Sequence, residues 1–197
     1  MKHLTRIMLG KSQAAALQLA DAYAWHRKLW QAFPGRDGQA RDFLFRIDDA
    51  GRDFRVYLLS DTPPTPPLWG HWQGKPVAPS FLGHRQYRFQ LRANPTMRRA
   101  SDGRRLGVYG EDPLRQWISR KSRHHGFAIH PESLVVGAPT DEFFHKNGRR
   151  GKHVSVEFQG VLAVERQEAF AEAFSRGIGA AKAFGFGLLM LRPVIGR

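Results

Sequence analysis

The sequence predicts an α+β fold made of two tandem β-α-β-β-α-β units with antiparallel sheets, and three observations predict it. Apolar and polar residues alternate in several short runs, the pattern of strands that bury one face. A chain of 197 residues suits two small domains of roughly 80 to 110 residues, each with a modest core. After Gly83 the pattern of elements begins again, which gives domains 1–82 and 83–197.

Residues 3–9 (HLTRIML) read as the first strand. Residues 14–33 have helical spacing, broken near Asp21, whose carboxylate suits the cap of the second piece. Phe43, Phe45 and Ile47 alternate on one strand and Phe54, Val56 and Leu58 on the next, with residues 48–51 as the turn. Residues 61–68 (DTPPTPPL) hold four prolines without N–H donors and form a loop. Between 64 and 81 a short helix and a short edge strand both fit.

In the second half, Tyr87, Phe89 and Leu91 alternate with Arg88, Gln90 and Arg92, so one face of that strand is apolar and the other is available to phosphate. Asp112-Pro113 opens a helix with Pro at its first position and Leu114, Trp117 and Ile118 on one side. Two strands flank Asn147-Gly148, with Val154, Val156 or Phe158 and Val161 in the returning arm. Residues 168–174 are helical, Gly177 caps them in a left-handed conformation, and residues 187–191 form the last strand. This order is the ferredoxin-like unit. RNA-recognition domains share it, but their stacking aromatics are absent from the central strand, so base stacking on the sheet is not expected.

Composition narrows the function. Hydrophobic residues make up 42% and aromatics 12%, enough to offset the entropy of ordering. There is no cysteine, which excludes disulfides and fits a cytoplasmic protein. No apolar run approaches about 18 residues and the N-terminus shows no apolar stretch with a small-residue cleavage site, so neither membrane insertion nor export is expected. The formal net charge is +14, and residues 84–152 carry fifteen Lys and Arg against six Asp and Glu. Such self-repulsion points to a polyanionic partner, here RNA.

Four segments carry candidate chemistry. On a helix Tyr23 and His26 project to nearly the same side, with Arg27 one turn after Tyr23, so a phenol, an imidazole and a cation converge. RNA can be cut without a metal when a base takes the proton of a 2′-hydroxyl and an acid protonates the leaving 5′-oxygen, and imidazole suits either task. The same spacing also fits a core-edge histidine. The segment 177–187 holds Gly177, Gly179, Gly185, Gly187 and Lys182, whose backbone can approach phosphate or simply cap a helix and enter a strand tightly. The hairpin tip 146–152 carries Lys146, Arg149, Arg150 and Lys152, on a groove-binding ribbon or a solvated loop. Arg120 and Arg123 add charge on the preceding helix. The nine histidines, among them His124, His125 and His130, match no metal-ligand spacing, so neither a metal nor another cofactor is expected. A protein that only holds structured RNA is the alternative to an enzyme.

Five segments, HLTRIML, DAYAWHRKLWQAFPG, ARDFLFRID, YRFQLRANP and GIGAAKAFGFGLLML, resemble, in this order, the CasE family, the CRISPR repeat-RNA endoribonucleases of type I-E systems. The resemblance implies tandem ferredoxin-like domains. It also implies metal-independent cleavage of CRISPR precursor RNA 3′ of the repeat stem-loop, leaving a 2′,3′-cyclic phosphate or 3′-phosphate and a 5′-hydroxyl. The product crRNA stays bound, and the other subunits of the Cascade complex are partners. By motif, the family's catalytic histidine falls on His26 and its neighbouring tyrosine on Tyr23. Either Arg27 or Lys28 supplies charge to the pentavalent phosphate. The basic hairpin falls on 146–152 and the glycine-rich tail on 177–187, while residues 11–20 look like extra length.

Overall fold

The computed structural model describes residues 1–36, 39–146 and 148–195. Contacts divide the chain into two units. The first is Met1–Val77 with Phe143–Gly151 and Ala183–Gly185; the second is Ala78–Glu142, Lys152–Lys182 and Phe186–Arg197. Against the 82/83 boundary read from sequence, the first unit thus ends five residues earlier and gains two later segments.

In the first unit, strand β1 (His3–Gly10) leads into two short helices, α1 (Lys11–Ala16) and α2 (Ala22–Leu29), then β2 (Phe43–Ala50), β3 (Asp53–Ser60) and β4 (His71–Pro76). The sheet order is β2-β3-β1-β4, antiparallel throughout, the ferredoxin-like arrangement. Residues 11–16, taken as extra length, are α1, which buries Ala14. The hairpin turn is tighter than residues 48–51: Asp48 and Asp49 pair with Arg55 and Phe54, and Gly51 turns the chain at φ 78°. No second helix stands between β3 and β4 among the described residues; the proline-rich loop and Trp69 occupy that stretch, with Trp69 in a T-shaped pair with Trp72 of β4. Trp69 closes the core of Ile7, Leu9, Trp25, Leu29, Phe43, Phe45, Val56 and Leu58, where each buried side chain contributes about 1.5–3 kcal/mol.

The second unit opens with β5 (Gln86–Ala93), a small hairpin of β6 (Thr96–Arg98) and β7 (Arg105–Gly107), and α3 (Glu111–His124). Pro113 is the third residue of α3 rather than the first; its missing N–H costs nothing there because first-turn N–H groups have no partner within the helix. Three pieces, β8 (Phe127–Ile129), β9 (Val135–Val136) and β10 (Thr140–Lys146), share the role of one strand beside the 16-residue β11 (Arg149–Val164). Helix α4 (Gln167–Arg176) and β12 (Leu189–Pro193) finish the unit, with sheet order β10-β11-β5-β12. Gly177 follows α4 at φ 75° and ψ 162°, a glycine conformation but not the left-handed helical one anticipated. The last strand begins two residues after Gly187, because Gly187 is held at φ 87° with its N–H on Arg92 O and its carbonyl accepting from Ile178 N. Leu114, Trp117 and Ile118 of α3 and Phe170 and Ala173 of α4 cover one face of the sheet, against Tyr87, Phe89, Leu91 and Phe158.

Candidate active site

Helix α2 is set by Asp21, which adopts an extended backbone and accepts the Ala24 N–H on Oδ1 at 2.8 Å. Its Oδ2 accepts the His145 N–H of β10 at 2.9 Å. One carboxylate therefore caps the helix and ties it to the basic ribbon, a link between residues far apart in sequence that no local pattern reveals. Trp25 and Leu29 are buried, and Tyr23 and His26 flank that stripe half-exposed.

The Tyr23 ring stacks on Phe184 at 6.1 Å, and Phe184 packs on Phe144 of the ribbon at 4.4 Å. The Tyr23 and His26 centroids lie 6.4 Å apart. The imidazole stacks on Phe45 at 16° and 6.2 Å, and a Cβ at Gly185 would come within 3.3 Å of the same Phe45 ring. Trp30, which sequence reasoning passed over, donates its indole N–H to His26 Nε2 at 3.2 Å. In this contact Nε2 is the acceptor, the role a general base needs. The i,i+4 spacing of His26 and Trp30 was the available signal.

Arg27 is exposed, on the Tyr23 side of the helix. Lys28 is half-buried, and two residues of helix turn it roughly 160° away from His26, to the opposite flank of the buried stripe. The structure thus sets Tyr23 beside His26, with Arg27 on the Tyr23 side of the helix and Lys28 on the other flank.

On the ribbon, Arg149 and Arg150 are exposed, and the Arg150 guanidinium lies 3.9 Å over the Phe143 ring. Asn147 and the side chain of Lys146 lie outside the described residues. In the second unit Lys152 is engaged, 2.9 Å from Asp141 and 3.5 Å from Tyr109. These hydrogen bonds, that to Asp141 foremost, raise its pKa. Arg120 and Arg123 are exposed on α3. Lys182 is half-buried at the start of a 3-10 turn, and Gly179 at φ 90° lies against Trp117, where a Cβ would sit at 3.4 Å. Gly177 and Gly185 thus have backbone and packing reasons to be glycine. No three His, Asp or Glu side chains gather as a metal-ligand set, and no helix is long and apolar enough to cross a membrane, among the described residues.

A family model described as CRISPR associated protein matches residues 2–193. The CRISPR-associated endoribonuclease Cse3 of Thermus thermophilus is 31% identical, covering 96% of this chain and 99% of its own. The CRISPR system Cascade subunit CasE of Escherichia coli is 29% identical, covering 88% and 93%. Among solved structures, the endoribonuclease Cse3 bound to a 19-nucleotide RNA superposes with a TM-score of 0.83 at 27% identity, over 97% of this chain and 100% of that one.

Proposed function

The chain belongs to the CasE family of CRISPR-associated proteins, and from that premise we propose how its residues process CRISPR RNA. The protein is an endoribonuclease that cuts the repeat of CRISPR precursor RNA and works with the crRNA in a Cascade complex, in the cytoplasm. His26 Nε2 takes the proton of the 2′-hydroxyl at the scissile nucleotide, the incoming hydroxyl replacing the Trp30 indole. The 2′-oxygen attacks the adjacent phosphorus, the bond to the 5′-oxygen breaks, and the Tyr23 phenol protonates that leaving oxygen. Arg27 faces the charge that grows on the phosphate. The ends are a 2′,3′-cyclic phosphate and a 5′-hydroxyl, and no step calls for a metal. Arg149 and Arg150 grip phosphates of the repeat stem, and Lys146, Lys152, Arg120, Arg123 and the 177–185 segment extend that grip.

The observation that carries this reading is the accepting Nε2 of His26 beside Tyr23 on a helix capped by the carboxylate that also holds the ribbon. His26→Ala is expected to lower the single-turnover cleavage rate by about 10² to 10⁴ in chelator, with repeat-RNA affinity nearly intact. Equal rates in the two proteins would remove His26 as the base, cutting of a repeat whose scissile nucleotide is 2′-deoxy would rule out attack by the 2′-hydroxyl, and no cutting by the unsubstituted protein would leave an RNA-holding protein.

A further inference from the structure

The sheet of the second unit has a second face, opposite α3 and α4, that the chemistry above does not use. Register lays out what stands on it. Arg192 of β12 is the direct partner of Arg88 on β5, which is flanked on β11 by Val161. In the adjacent row Met190, Gln90 and Gln159 stand side by side. One row further, Arg92 is already paired with Glu157 at 3.8 Å.

Arg88 and Arg192 are both exposed, and neither has an acidic partner among the described residues. Like charges directly opposite across two strands destabilise a sheet. Nothing in the packing requires these two, since the core side of the same strands is closed by Tyr87, Phe89, Leu91 and Leu189. The unrelieved pair is therefore accounted for by an anion that bridges it.

We propose that this face binds the sugar-phosphate backbone of single-stranded RNA, with Arg88 and Arg192 on phosphate and Gln90 and Gln159 on sugars or base edges. The choice of RNA over another polyanion rests on the function proposed above. A single strand fits better than a duplex because the two glutamines rise from a flat sheet and reach only bases that are splayed out, whereas the A-form major groove hides its base edges. Arginine planes can also carry unstacked bases where this sheet lacks the aromatic rings of RNA-recognition domains.

The test uses the full chain and an oligouridine carrying 4-thiouridine, a probe with no stem to cut, so that His26 chemistry does not enter the readout and failure of the cleavage reading is scored separately. Cross-links are expected on the peptides that contain residues 86–92 and 189–193. Arg88→Ala/Arg192→Ala should weaken oligouridine binding by about tenfold at low salt and lower the slope of log affinity against log salt by about 1.4, from about 0.7 per phosphate contact on a single strand. Both residues are exposed, and an unchanged unfolding transition confirms the variant is folded. Cross-links confined to other peptides, or an unchanged salt slope, would overturn the proposal and leave the face to a partner of another kind.

Discussion

Between the third and fourth strands of the first unit runs a proline-rich loop with Trp69; at the same place in the second unit stands the ten-residue helix α4. The units differ again at their helix starts. Helix α2 begins on the Asp21 carboxylate, while α3 and α4 begin on Gly110 and Arg166 with no side-chain hydrogen bond at the cap. The second unit puts its large buried rings, Trp117, Phe127, Phe158 and Phe170, into an ordinary two-helix core. The first gives up a helix and uses its aromatic rings to line a half-exposed imidazole. One topology sets both cores, and the proposed catalytic imidazole lies in the unit that departs from it.

The comparison is sharpened most by the two cations of α2. Arg27→Ala is expected to lower single-turnover cleavage by about 10² to 10³, the scale of losing one group that faces developing charge, while Lys28→Ala changes it less than about threefold. Equal losses would mean that the flank of the helix does not decide function, and Arg27 would lose its distinct role at the phosphate.

A smaller effect follows from Asp21. Asp21→Ala removes the cap and leaves the His145 N–H without its acceptor, so the first unit should lose about 0.5–2 kcal/mol of stability in denaturant unfolding. Cleavage should fall as well, because Tyr23 and His26 ride on that first turn. A stability loss with full cleavage would show that the cap holds the fold and not the site.

How far sequence reached is explained by the range of each interaction. The alternation of Phe43, Phe45 and Ile47, the proline block and the Asp21 cap are local, and each was legible. Strand β4 was legible only as one of two alternatives, the edge strand, because its residues are all exposed or half-exposed and it is held by backbone pairing to β1 rather than by a buried face. The division of one strand into β8, β9 and β10 depends on the length of β11, which no window of the sequence reveals. In the site, Tyr23 and His26 followed from helical spacing. That spacing also placed Lys28 on the far flank, and only the resemblance made it a candidate. The Asp21–His145 tie and the Arg88–Arg192 pairing appear only once distant segments are in register.

The smallest expected effect belongs to the second unit. His125 follows α3 half-buried, and its pKa is lowered to about 4, by burial first and then by His124, Lys121 and Lys182, with Glu172 opposing. A histidine in the unfolded chain titrates near 6.5. Between those values the unfolded chain binds a proton that the folded unit refuses, so His125 leaves stability intact above about pH 6.5 and removes it progressively as pH falls toward 4. With the ring only half-buried, solvent screening reduces the loss to on the order of 1–2 kcal/mol. His125→Phe keeps the ring and removes the proton site, so its unfolding free energy should decline less between pH 6.5 and 4 than that of the unsubstituted protein, with little difference at pH 8. If both proteins lose stability in parallel across that window, acid sensitivity lies elsewhere, with His153, whose pKa burial also lowers, the next group to substitute.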